Sequence, residues 1–294
     1  MIVSIKNSRI KADVTTAGGQ LTSIVDANAV EYLWQGNPEY WNGQAPPLFP
    51  MAGVLRNKRA IMPNGKECIL ERHGLVRKQE FSILDQSATS VIMRVTSNEE
   101  TLKAFPYEYE FRAAYSINDK TLTTEFTAIN IGKEDMPFTL GGHPAFNCPL
   151  TEKEKFEDYI VEFEKVETAD CMTTDISTGL LYANKRDRIL DNTNILPMSH
   201  KLFEVDSIPF DSLKSRRAKL YNPKTMRGVD MSFERLDYFV VWSSRNGGNF
   251  VALEPWTGLA TCDDEDDIFM HKRGAKILKP NESMSFKFDV TIMN

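Results

Sequence analysis

Helical periodicity is scarce in this sequence, and histidine and cysteine are scarcer, at four residues each in 294. The cysteines, Cys68, Cys148, Cys171 and Cys262, are scattered and form no CxxC pair. That spacing argues against a disulfide framework or a zinc site and predicts reduced thiols. No HExxH or comparable cluster offers metal-ligand spacing, so no metal is expected. GxGxxG, GxxxxGKS/T and GxSxG are absent, which removes support for a dinucleotide site, a P-loop and a serine nucleophile elbow. No run approaches the ~20 apolar residues of a membrane span. The opening stretch, MIVSIKNSRIKADV, lacks the basic and apolar regions of a signal peptide. Positive charge is not in excess, since 35 basic and 41 acidic residues leave a net charge of −6. Phosphate binding wants a basic face, so nucleic acid is not an expected partner. The expectation is a cytoplasmic protein that needs no cofactor and has no membrane or nucleic-acid partner.

What is present is strand signal. Apolar residues make up 41% of the chain and aromatics 10%, ample for a substantial core. In Ser90–Ser97, Val91, Met93 and Val95 alternate onto one face. The stretch from Tyr107 alternates aromatics with charge, turns at Asn118-Asp119-Lys120, and continues as TLTTEFTAIN, a hairpin pattern. Near the C-terminus, Met284, Phe286, Phe288, Val290 and Ile292 share a side. Leu236–Ser244 and Asn249–Trp256 form another expected pair, joined by Arg245-Asn246-Gly247-Gly248. Helix is expected only in short pieces, near Pro38–Trp41 and around Asp263–Ile268. Many strands without βαβ alternation predict an all-β sandwich or barrel, read as one domain over residues 1–294.

Three side chains stand in unusual settings. His143 follows Gly141-Gly142 and precedes Pro144. Small residues beside a polar one are what ligand-accessible backbone looks like, although a loop-capping imidazole is an equal reading. Glu254 follows the apolar Val251, Ala252 and Leu253 and precedes Pro255, which should end ladder pairing. A carboxylate delivered by an apolar strand is costly to bury unless paired or used, and burial raises its pKa toward that of a general base. His73 lies before a glycine and close to Arg72 and Arg77; alone, it reads as a turn histidine. His200 and His271 read as loop residues. Of Phe49, Phe146, Trp242 and Trp256, most read as core, while a tryptophan beside polar groups also suits the apolar face of a sugar. Arg56 offers forked donors for hydroxyls or phosphate. The run Asp263-Asp264-Glu265-Asp266-Asp267 lacks calcium-loop spacing and reads as a solvated loop.

Four motifs together, PLFPMAGVLRN, HGLVR, GGHPAFN and ALEPWTG, resemble the aldose 1-epimerase (mutarotase) family, most closely its bacterial, lactose-operon-associated branch. The resemblance runs from GGQLTSI near Gly18 to the last strand. It implies a large antiparallel β-sandwich with a broad cleft and the interconversion of sugar anomers. It also implies His143 as general acid and Glu254 as general base. His73, near the ring oxygen, and Arg56, on a sugar hydroxyl, are implied as sugar-binding; Arg77 and Trp242 are taken as further substrate-binding residues from their own settings. An aspartate before the last active-site strand is implied too, either Asp230 or Asp237, of which Asp237 is taken.

The chemistry suits these groups. Opening a hexose ring removes a proton from the anomeric hydroxyl and delivers one to the ring oxygen, which a carboxylate and an imidazole can do together. No metal or redox step is required. Two other readings stay open. One is a mutarotase for hexose 6-phosphates, with Arg56, Arg72 and Arg77 serving the phosphate. The other is a carbohydrate-binding or sensing protein without turnover.

Overall fold

Alternation dictates the architecture. In Thr121–Asn130 every second residue, from Leu122 through Phe126 to Asn130, is buried, and Ser283–Met293 buries Phe286, Phe288, Val290 and Ile292 in the same way. A period of two puts each set on one face, and the cost of exposing it fixes the register. The computed structural model describes residues 1–294. Its largest sheet has nine antiparallel strands. In spatial order they are Leu181–Pro197, Ile160–Thr174, Arg217–Asn222, Arg227–Ser232, Ser283–Met293, Thr121–Asn130, Tyr109–Asn118, Ser90–Thr96 and Ser82–Gln86. The expected hairpin is present, with Asn118 paired to Thr121.

A second sheet lies across its inner face. Ile208–Phe210, Tyr238–Trp242, Phe250–Trp256, Gly141–Gly142 and Pro47–Leu48 follow in order, with Ala145–Asn147 also paired to Phe250–Trp256. One contiguous apolar core of 66 buried residues joins the two sheets to the N-terminal three-stranded sheet of Ile2–Lys6, Ile10–Thr15 and Gln20–Asp26. Phe49 is central to it, with ring centroids 5.0 Å from Phe111, 5.2 Å from Tyr109 and 5.6 Å from Phe138. The result is a β-sandwich, sheet packed on sheet. No helix is long and apolar enough to cross a membrane.

Phe250–Trp256 is buried along its whole length, as a central strand covered on both faces must be. Its odd residues Val251 and Leu253 enter the main core, while its even residues face the second sheet's other side. Pro255 does not end pairing, contrary to the sequence expectation: it lies opposite Phe239 and the ladder runs on to Trp256. Leu253 N–H donates to the Pro144 carbonyl and Thr257 N–H to the Leu140 carbonyl. Pro255 falls midway between these two donors, where the strand changes partner, so its missing N–H breaks no ladder bond.

The helix expectations are corrected. Pro38–Trp41 is a turn, and Asp263–Ile268 is irregular. The one α-helix is Glu99–Ala104. Its start is a capping box: the Asn98 side chain accepts from Glu100 N–H and Thr101 N–H at 3.0 and 2.9 Å, and the Thr101 hydroxyl accepts from Asn98 N–H at 2.8 Å. Two glutamates in its first turn complement the dipole. Asn98→Ala should therefore lower unfolding free energy by about 1 kcal/mol in urea titration, with an unchanged m-value.

Candidate active site

The even face of Phe250–Trp256 and the matching face of Tyr238–Trp242 form one wall of a cavity of about 220 Å³. Val240 lies opposite Glu254, Trp242 opposite Ala252 and Tyr238 opposite Trp256. Register alone thus places Glu254, Trp256, Val240 and Trp242 on one side of the sheet. Pockets for drug-sized ligands run to about 300–1,000 Å³, so this space suits something smaller. A larger void, about 680 Å³, lies beside Lys78, Arg94 and the short helix, and contains no paired acid and base.

His143 enters from the neighbouring strand, and the two glycines before it have separate reasons. A Cβ on Gly141 would lie 2.3 Å from Trp256 Cδ1, and one on Gly142 would lie 2.6 Å from Phe288 Cε1. Each glycine lets an aromatic ring close on the backbone, one from the cavity wall and one from the core. Trp256 Nε1–H then donates to the Gly142 carbonyl at 3.3 Å. So held, the His143 ring reaches Glu254, with Nε2 and Oε2 3.3 Å apart. His143 is 6% exposed and Glu254 1%. Trp41 stacks on the imidazole at 4.7 Å, and Trp242 meets it edge-on at 5.4 Å.

Burial dominates the electrostatics. It pushes the Glu254 carboxyl well above its ordinary range, with Asp206 adding repulsion. It also pulls His143 down to about 3, with Arg77 and Arg72 contributing. The imidazole and the carboxyl are therefore driven together toward a state with one proton between them and no net charge. Apart from the approach of His143 Nε2, Glu254 Oε2 makes no contact of hydrogen-bond length within the protein, and the buried His143 Nδ1 has no partner.

His73 is buried too, at a φ of +66°, a left-handed conformation costly for a non-glycine residue. Gly53 N–H donates to its Nδ1 at 3.1 Å. That bond puts the ring proton on Nε2, and burial holds His73 well below its ordinary pKa. It is thus a fixed neutral donor, 5.3 Å from the His143 ring. Arg77 and Trp242 also line the cavity.

Two expected residues lie elsewhere. Arg56 turns away and clamps the acidic run: it donates to Asp267 Oδ1 at 2.8 Å and to the carbonyls of Cys262, Asp263 and Glu265. Asp237 precedes its strand, shares the parity of Phe239 rather than Val240, and pairs on the surface with Lys276 at 3.4 Å. The other candidate, Asp230, is locked to Arg217 in the nine-stranded sheet. The aspartate that lines the cavity is Asp206, from the loop before Ile208–Phe210, at a φ of +79°. It accepts from Trp242 Nε1–H at 3.0 Å. Sequence reasoning missed Asp206 and Trp41, since loop residues carry no periodic signal. Phe49 and Phe146 are core, His200 stacks on Phe156, and His271 pairs with Asp266.

A β-sandwich with an imidazole–carboxylate pair in a walled cavity has the makings of an acid–base catalyst for a small polar ligand. Residues 1–291 match the family model described as aldose 1-epimerase. The chromosomal protein LacX of Lactococcus lactis subsp. lactis is 41% identical over 299 residues, covering 100% of both chains. Among solved structures, a galactose mutarotase related enzyme from Lactobacillus acidophilus has a TM-score of 0.94 at 30% identity, over 100% of this chain and 98% of that one. A galactose mutarotase-like protein from Lactobacillus casei ATCC 334 has a TM-score of 0.92 at 28% identity, over 99% and 100%. The chain belongs to the aldose 1-epimerase family, a family of carbohydrate epimerases.

The lowered His143 pKa has a consequence for stability. As pH falls, the unfolded chain takes up a proton at His143 near 6.5, while the folded chain resists until about 3. Stability from this residue is complete above about pH 6.5 and is lost as pH falls toward 3. Urea midpoints at pH 7.5 and pH 5 should therefore differ less in His143→Asn than in the wild type.

Proposed function

We propose that the protein interconverts the α and β anomers of a hexose by ring opening and reclosure, with Glu254 and His143 as the proton-transferring pair. The observation that carries this is the 3.3 Å approach of His143 Nε2 to Glu254 Oε2 inside a walled cavity, on a chain of this family. With the closed ring bound, Glu254 as carboxylate accepts the proton of the anomeric hydroxyl. His143 as imidazolium gives its proton to the ring oxygen as the C1–O5 bond breaks. The pair is then left as carboxylic acid and neutral imidazole, the state that burial favours. The aldehyde turns about C1–C2, and closure reverses both transfers. One proton in the pair suffices, because the reaction takes one from the sugar and returns one.

The remaining wall groups bind and orient. His73 Nε2–H and the Asp206 carboxylate suit sugar hydroxyls, and Trp41, Trp242 and Trp256 supply apolar faces that keep bulk water away. No step calls on a metal or cofactor. In this reading residues 1–294 act as one domain, and four buried free thiols fit a reducing cytoplasm.

Polarimetry of a freshly dissolved pure anomer tests the assignment. Loss of a positioned acid or base costs about 10²–10⁴-fold, so His143→Ala and Glu254→Gln should each lose at least about a hundredfold in kcat. Wild-type rates in either would remove it. Asp206→Asn should act mainly on KM. Asp237→Asn, on the surface, should stay within about twofold of wild type.

A further inference from the structure

Most arginines of this acidic protein are paired. Arg9, Arg56, Arg59, Arg94, Arg112 and Arg186 each meet a carboxylate, as do Arg188, Arg217 and Arg273. Arg72 and Arg77, which line the cavity, have neither an ion pair nor a side-chain hydrogen bond within the protein. Arg77 is half-buried, and its Nε is shut off from solvent without a partner. Leaving a guanidinium donor unmatched in a wall is costly unless something arrives to match it.

The surroundings of Arg72 are built to admit it. Gly179, in the turn between the two longest strands, has a φ of +78°, and a Cβ there would lie 2.4 Å from Arg72 Nη2. A small recess of about 30 Å³ adjoins the main cavity and shares Arg72, His73, Asp206 and Ser207 with it. Thr174 lines this recess; it is 9% exposed, and its buried Oγ1 has no partner. Arg77 faces the main cavity, Thr174 the recess and Arg72 both, so unmatched donors line two adjoining spaces and call for an acceptor-rich ligand. Against them stand Asp206, already engaged by Trp242, and Glu254, whose carboxyl burial pushes well above its ordinary range. The cavity's balance is therefore positive, in a chain of net charge −6.

We propose that the sugar carries an anionic group, phosphate or carboxylate, at the end remote from its anomeric carbon, and that Arg72, Arg77 and the Thr174 hydroxyl bind it. This rests on the anomer-exchange reading for the sugar's orientation, because the reducing end is assigned to His143 and Glu254. Guanidinium forks match phosphate and carboxylate alike, so the class is set by charge and acceptor geometry.

The test compares three C6 groups, CH₂OH, CH₂OPO₃²⁻ and COO⁻, in both the galactose and the glucose series on the intact protein at low ionic strength. Calorimetry reads binding, and polarimetry reads exchange. One anionic form should bind about tenfold to a hundredfold tighter than its neutral counterpart, and which one identifies the source of the charge. Arg72→Gln and Arg77→Gln should raise KM for that form at least about tenfold with little change in kcat. The anionic-to-neutral ratio of kcat/KM should then fall toward one. Neutral sugars bound as well as both anions would overturn the subsite, even if their anomers exchange rapidly. Tight anion binding without exchange of any sugar would instead sink the epimerase reading and leave the subsite standing. The wild-type comparison decides alone if a variant fails to fold.

Discussion

An imidazole and a carboxyl held 3.3 Å apart and almost free of water are the constraint on which the site depends. Taken singly, each would be an expensive charge to bury. Taken together they need hold only one proton, and the pair can stay neutral while that proton changes owner. The fold meets this requirement through backbone geometry. A strand buried on both faces brings Glu254 to the cavity by parity, and two glycines allow Trp256 and Phe288 to close against the backbone that carries His143. Enlarging either glycine would move the ring that completes the pair.

The wall divides its work by charge state. His73 is fixed as a neutral donor by a backbone N–H, so it has no free lone pair with which to compete as a base. Asp206 is oriented by the Trp242 indole. Arg72 and Arg77 depress the His143 pKa and remain unpaired themselves. Chemistry rather than volume marks this cavity: the larger void beside Lys78 and Arg94 has no acid–base pair.

Much of this was legible in the sequence, and the limits have physical causes. Strands with strict alternation, such as Thr121–Asn130 and Ser283–Met293, follow from burial of one face. His143 and Glu254 stood out because glycine and apolar neighbours make a polar group conspicuous. The short helix did not, because its signal is a local Asn98–Thr101 capping box rather than a periodic face. Asp237 was misplaced because sequence proximity to a strand does not fix the side of the sheet, and its parity turns it outward. Arg56 was misplaced because the carbonyls that capture it lie more than 200 residues along the chain. Asp206 and Trp41 come from irregular loops, whose side-chain directions are set by tertiary contacts.

The most direct measurement is a crystal structure of Glu254→Gln soaked with a hexose of the class that binds best. The account predicts that the anomeric oxygen lies within hydrogen-bonding reach of residue 254 and the ring oxygen within reach of His143 Nε2, with the tryptophans along the sugar's faces. A sugar bound with its reducing end toward solvent, or outside this cavity, would contradict it.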